Sequence, residues 1–296
     1  MKDKRTQLDY CFMVLPGIIW LSLFSIVPMF GIVMAFQDFI PGRSWLGSKW
    51  VGFENFKYLF SMQDVRLVIN NTLIIAVSKI ILNLLVPLTF ALLLNEVKNM
   101  SFKRLSQTVV YLPHFISWVI LASILLNIFG YTGIANTVTG LFGGQRRVFM
   151  QNAQFARNLI IFSEIWKEFG FGAVIYLATL SGINPELYEA AAIDGAGRWR
   201  SMRTITIPGL MSTIVLLAVL SLGNVLNAGF DQIFNMYNPL VYSTTDILDT
   251  YVYRLAFLRM DFSLSTAAGL FKSVISFVLI VSSYGLAYKL TDYRIF

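Results

Sequence analysis

Residues 184–210 read NPELYEAAAIDGAGRWRSMRTITIPGL, a polar, helix-forming piece with a glycine-rich break and a basic tail, set between two strongly apolar runs. Asn184 is a good N-cap, Pro185 fits the first helical position and Glu186 the first turn, so a helix with a sharp start is predicted. It runs through Ile193, with Leu187, Ala190, Ala191 and Asp194 on one small, nearly flat face. Gly195 stands where helices commonly end in a left-handed residue, and Ala196 and Gly197 leave little side chain to obstruct a close neighbour. Trp199, Met202 and Ile205 then recur every three residues, with Arg198, Arg200 and Arg203 interleaved. That spacing predicts a second short helix lying at a membrane surface. Pro208 sits in the first turn of the next apolar run, where its missing N–H costs nothing. The stretch reads as helix, tight turn and helix, a docking knob held between two rigid spans.

The rest of the chain supplies those spans. Of 296 residues, 56% are hydrophobic and 13% charged, and the mean hydropathy is +0.67; soluble domains are about one-quarter charged. Six runs, about 11–36, 68–95, 108–129, 158–180, 207–230 and 263–288, meet the roughly 20 apolar residues that cross a hydrocarbon core. They are continuous and too long for barrel strands, so the expected fold is all-α, a polytopic membrane protein with one transmembrane domain over 1–296. Lys2, Lys4 and Arg5 precede a first run that exceeds a signal-peptide core and has no small-residue cleavage site, so it is read as an anchor. With the N-terminus inside, the inner loops carry roughly twice the Lys and Arg density of the outer ones, which predicts two cytoplasmic termini and a cytoplasmic loop at 182–208. The net charge of +7 fits juxtamembrane anchoring, and no basic patch of the kind that binds nucleic acid is present. Cys11 is the single cysteine, which excludes an internal disulfide and a cysteine metal cluster.

No phosphate-binding G-x-x-x-x-G-K-[ST] and no H-E-x-x-H occurs, so neither nucleotide hydrolysis nor zinc chemistry is encoded. His114, the only histidine, follows Pro113 and reads as a polar side chain at a kinked, protein-facing position. Ionisable groups inside spans are costly and are functional candidates. Glu164, Lys167 and Glu168 share one helix face and predict an internally neutralised cluster. Lys79 and Lys272 have no partner on their own helices; if both reach a cavity, an acidic sugar such as a uronate oligomer would benefit. Asn224, Asn227 and Asp231, at i, i+3 and i+7 of the fifth run, form a polar stripe that suits either a carbohydrate pathway or interhelical hydrogen bonding. The candidate pathway residues are thus Lys79, Asn224, Asn227, Asp231 and Lys272. Of the outer loops, 37–67 is rich in aromatics, and 244–257 predicts a helix capped by Thr245 or Asp246 that lies along the outer surface.

Glu189-Ala190-Ala191, then Gly195, then Ile205-x-Ile207-Pro208, resembles the EAA signature of permease subunits of binding-protein-dependent ABC importers, with Ile207 where leucine is usual. YLPHFISWVI, GFDQIFNMYNP, DILDTYVYRLAF and TAAGLFKSVISF are similar to the carbohydrate branch, the group handling oligosaccharides and polysaccharide fragments. The ending SSYGLAYKL departs from that group's Asn-containing pattern. The resemblance implies the type I permease fold in a bacterial cytoplasmic membrane. It also implies a second homologous permease, two ATPase subunits that hold ATP and magnesium, an extracytoplasmic solute-binding protein, and no cofactor on this chain. It makes Glu189, Ala190, Ala191, Asp194 and Gly195 the residues that contact the ATPase. The competing reading, an ion-coupled secondary transporter, calls for inverted repeats, and the halves 1–148 and 149–296 show no self-similarity.

Overall fold

Proline, glycine and a few polar side chains decide where the apolar runs stay straight and where they break. The structure, a computed structural model, describes residues 4–42, 47–223 and 225–291. Lys2 and Asn224 lie outside the described residues. Among the described residues, four helical runs are long and apolar enough to cross a membrane: Asp9–Phe36, Gln63–Asn95, Arg198–Gly223 and Phe262–Ser283. The run expected over 108–129 is a bent pair, Met100–Phe115 and Trp118–Ile128, which meet at 99°. Pro113 starts a tight turn there, Ile116 is extended, and the Ser117 hydroxyl accepts from Ile120 N to cap the second arm. The helix Ala153–Ser181 has 29 residues, about 44 Å at 1.5 Å per residue, and carries Arg157, Glu164, Lys167 and Glu168.

The chain divides into two compact units. The first comprises Met1–Val65 and Val252–Phe271. In it a two-residue antiparallel ribbon pairs Gln37–Asp38 with Lys49–Trp50. Asn55 holds the ribbon's entry by donating from Nδ2 to the carbonyls of Ala35 and Gln37, at 2.9 and 3.0 Å. The aromatics of this segment pack on one another: Phe36 stacks on Trp50 and meets Phe53 edge-on.

The second unit comprises Arg66–Tyr251 and Lys272–Phe296. One core gathers Ile75, Ile160, Leu226, Ile233, Met236 and Ile247, and another Ala91, Ala173, Tyr176, Leu180 and Leu210. Val241 and most of residues 245–251 belong to this interior. Arg157 donates to the Thr244 carbonyl and to Asn71 Oδ1, and Leu248 N donates to the Thr72 hydroxyl at 2.9 Å. Leu248 and Tyr251 are buried, so this part of the segment packs within its unit rather than along a surface. Asp246 Oδ1 accepts from Thr250 Oγ1, which accepts from Ile247 N.

Gly170 marks a close backbone approach of two helices, since a Cβ there would fall 2.1 Å from the Val110 carbonyl oxygen. Small residues permit such backbone approach between membrane helices. Gly170→Val is expected to cost about 1–3 kcal/mol through overpacking, read as a lowered unfolding midpoint in detergent; an unchanged midpoint would mean the two helices can separate freely.

Candidate functional site

The knob forms as its residues dictate. The Asn184 side chain accepts from Glu186 N, Pro185 takes the first position, and the helix runs Pro185–Ile193. Gly195 has φ +75°. Gly195 N donates to the Ala192 carbonyl and Ala196 N to the Ala191 carbonyl at 2.8 Å, the paired bonds of a Schellman end. Glu189, Ala190, Asp194 and Gly195 are exposed and Ala191 is half-buried. A Cβ on Gly195 meets nothing of this chain within 4 Å, so inside the chain only its backbone conformation calls for glycine.

The knob is joined firmly at both ends. Tyr188 Oη lies 3.0 Å from Thr206 Oγ1. Ile183 packs so closely on Gly209 that a Cβ there would lie 2.8 Å from Ile183 Cδ1. The second short helix expected along the membrane surface is absent as a separate element. Arg198–Ser201 passes through a π-turn, Met202–Thr206, straight into Ile207–Gly223, making one run of 26 residues. Pro208 explains the turn: its missing N–H would leave the carbonyl four residues back unpaired, and the wider turn, with Ile207 N donating to Met202 O, absorbs the mismatch. Movement of the knob therefore reaches the span with no flexible linker between them. Ile193 and Trp199 are 87% and 77% exposed, the largest apolar groups open to solvent on the tip beside Leu187.

The polar groups of the spans meet elsewhere, around a break in the chain. The helix expected over 207–230 ends at Gly223, and a short helix, Phe230–Met236, begins after Gly229 at φ +95°. Asn227 and Asp231 are therefore not on one helical face. Asn227 stands in the break and Asp231 is exposed in the first turn beyond it. A break in a span frees carbonyls that other groups must satisfy, and Lys79 does so. Only 5% exposed, its ammonium donates to the Ala228 carbonyl (2.6 Å), Gln232 Oε1 (2.5 Å) and Glu164 Oε2 (2.9 Å). Gln232 in turn donates to the Ile160 carbonyl and Ser163 Oγ. Gly229 is needed for closeness as well as for its φ, since a Cβ there would lie 3.0 Å from Lys79 Nζ.

On the other side of the break Lys272 Nζ contacts Asn227 Oδ1 at 2.8 Å and Asp249 Oδ1 at 2.5 Å. Two lysines from distant helices thus hold adjacent residues, 227 and 228, each balanced by a carboxylate from a third element. The cluster expected on the Ala153–Ser181 helix divides accordingly. Glu164 serves Lys79, while Lys167 pairs with Glu168 at 2.7 Å and donates to the His114 carbonyl. His114 Nδ1 lies 2.7 Å from Glu168 Oε2, with its ring stacked on Phe171. Gln232 was passed over in the sequence because nothing local marks it.

A cavity of about 260 Å³ opens beside the break, lined by Lys79, Glu164, Asn83, Ser221 and Asn227 and by apolar groups that include Leu217 and Leu220. It brings Lys79 and Asn227 together; among the described residues, Asp231 and Lys272 are not part of its wall.

Several long apolar helices, with the ions among them paired, make this a multi-pass membrane protein. Residues 83–292 match the model of the family described as binding-protein-dependent transport system inner membrane component, and the chain belongs to that family. It is 41% identical over 297 residues, 99% of this chain and 92% of the relative, to the polygalacturonan/rhamnogalacturonan transport system permease protein YteP of Bacillus subtilis (strain 168). A crystal structure of a bacterial ABC transporter involved in the import of the acidic polysaccharide alginate superposes with TM-score 0.89 at 37% identity, covering 97% of each chain. A second, of the bacterial alginate ABC transporter with its alginate pentasaccharide-bound periplasmic protein, gives 0.89 at 36% identity over 99% of this chain and 98% of that one. The chain is a multi-pass membrane permease.

Proposed function

We infer that this chain forms half of the translocation pathway of an ATP-driven carbohydrate importer in a bacterial cytoplasmic membrane. The carrying observation is the exposed Pro185–Ile193 helix, locked by Asn184, Gly195 and Tyr188 between two long helices, in a chain without a nucleotide-binding motif. A rigid tip of this kind turns a partner's motion into helix tilt. Its contact residues would be Glu189, Ala190, Ala191, Asp194 and Gly195, and ATP and magnesium belong to the partner ATPases. A second, similar permease and an extracytoplasmic solute-binding protein complete the assembly; the alginate transporter crystallised with a periplasmic protein supports the latter.

Six spans, with both termini cytoplasmic, fit this reading. The bent pair counts as one, and the Ala153–Ser181 helix qualifies because its ions are paired, Glu164 with Lys79 and Lys167 with Glu168. The excess of Lys and Arg at 96–107 and 181–206 supports a knob on the inner side. Relatives named for polygalacturonan and alginate favour polysaccharide fragments as cargo. An ion-coupled mechanism lacks the inverted repeats it would use.

Tagging the chain in its host, purifying it in mild detergent and identifying co-purifying chains by mass spectrometry tests the reading. Stoichiometric recovery of another permease and a P-loop ATPase is expected. Recovery of the chain alone, with transport persisting after reconstitution without ATP, would overturn it.

A further inference from the structure

The short helix Ile134–Leu141 turns its polar side to its own chain and its apolar side away. Ile134, Val138, Leu141 and the capping Phe142 fall within an arc of roughly 100° at 3.6 residues per turn. All four are exposed, Leu141 by 81% and Phe142 by 88%. Opposite them Asn136, 1% exposed, donates from Nδ2 to the carbonyls of Gly130 and Arg147, and its Oδ1 accepts from Arg147 N. The helix is also fixed at its start, because a Cβ on Gly133 would fall on the carbonyls of Asn127 and Ile128 at the end of Trp118–Ile128. Its place in the chain says what covers the apolar face. The helix joins Trp118–Ile128 to Ala153–Ser181, which the six-span reading places across the membrane, and it stands at the Ala153 end, away from the knob. The 29 residues of Ala153–Ser181 match the roughly 40–45 Å of a whole bilayer, so that end reaches the lipid headgroups. Tyr131 is exposed just before the helix, and Arg146 and Arg147 just after it, with Arg147 held over the Phe149 ring. An apolar helical face flanked by tyrosine and arginine is the composition of a helix lying in a membrane surface, where guanidinium groups meet phosphates.

We propose that residues 134–142 are an interfacial anchor that lies in the leaflet opposite the knob, with the apolar face on acyl chains and Arg146 and Arg147 on lipid phosphates. The inference rests on the reading of the two flanking helices as spans and is independent of the cargo. Gly133 and Asn136 tie the anchor to Trp118–Ile128 and to the segment that leads into Ala153–Ser181. The anchor therefore sets the depth of both helix ends, and when the knob moves, the Ala153 end is the one held in place.

The test uses the full chain, purified from its host with the subunits that assemble on it and placed in vesicles of phosphatidylethanolamine and phosphatidylglycerol. A fluorescent label is put on one introduced cysteine at a time in a Cys11→Ala background, with the Cys11→Ala assembly as the blank. At Leu141→Cys a nitroxide on the lipid acyl chain should quench the label and iodide in the buffer should not. At Gly140→Cys, an exposed position on the other side of the helix, the order should reverse. Gln145→Cys, beside the arginines, should respond most to a nitroxide on the lipid headgroup. With Leu141→Ser/Phe142→Ser, a label at Val138→Cys should become severalfold more sensitive to iodide. The unfolding midpoint in detergent should stay where it was, because both side chains are exposed within the chain. Quenching of the Leu141 label by iodide would show the face open to water and overturn the anchor. Quenching by neither agent would mean that a protein covers the face, a second permease or a binding protein, and would overturn it too. A label at Phe162→Cys reports on the Ala153–Ser181 span by itself. If iodide reaches Leu141 and not Phe162, the anchor alone fails; if iodide reaches both, the span reading fails with it.

Discussion

Lys79→Met should destabilise the protein by about 3–5 kcal/mol, the cost of removing one member of a buried ion pair, and should do so more than Glu164→Gln. The ranking follows from the contacts. Lysine satisfies three acceptors, the Ala228 carbonyl, Gln232 Oε1 and Glu164 Oε2, and all three are stranded when it goes. With Glu164→Gln the ammonium keeps the other two, and the amide oxygen can still accept from it. The double variant Lys79→Met/Glu164→Gln should be no worse than Lys79→Met alone, because neutralising Glu164 removes the unbalanced carboxylate. Midpoints of the four proteins in one detergent, arranged as a double-mutant cycle, give the coupling directly. Equal losses for both single variants would mean that the ion pair, and not the freed carbonyl of the break, is what the lysine serves. Because the break lies between Ile207–Gly223 and Phe230–Met236, loosening it should also weaken transport by whatever protein remains folded.

What the sequence made legible is what depends on neighbours a few residues apart. Asn184, Pro185 and Gly195 set the two ends of the knob by local chemistry, and the structure has the cap, the first position and the left-handed residue where they were expected. The apolar runs announced the long helices for the same reason, since composition alone decides what can sit in lipid. The break at 225–229 was hidden because LLAVLSLGNVLNAGF reads as a continuing apolar run with a polar stripe along it, and only Gly223 and Gly229 hinted that it could stop. What makes the break tolerable is Lys79, about 150 residues earlier in the chain. Partners so far apart leave no periodicity to read. The pairing of Glu164 with Lys79 instead of Lys167 was obscured likewise, since helical spacing favoured the local partner and a tertiary contact supplied a better one. Pro208 was misread for a different reason. At a helix start it is harmless, and nothing in the sequence shows that the preceding turn will widen and carry the helix through.

Gly195→Asp separates folding from coupling. The residue sits at φ +75°, where a side chain costs roughly 1–2 kcal/mol, and aspartate tolerates that region better than most residues. Apart from its two chain neighbours, no residue of this chain comes within 4 Å of the position a Cβ would take. The Schellman bonds from Gly195 and Ala196 use backbone atoms and survive the change. Insertion and the unfolding midpoint should therefore stay close to wild type. Transport should not: the new carboxylate would stand beside Asp194 at the exposed tip, and an unpaired charge desolvated in an interface costs about 2 kcal/mol or more, some thirtyfold in affinity. The expected result is an inserted protein with import reduced at least to that extent and with its ATPase partner bound weakly or lost on purification. Gly195→Ala, which brings the Cβ without the charge, should fall between the two and divide steric approach from electrostatic repulsion. Import at the wild-type rate by correctly inserted Gly195→Asp would show that no partner closes on Gly195 itself. The coupling contact would then have to be sought on the exposed Ile193 and Trp199 instead, or on the arginines that follow.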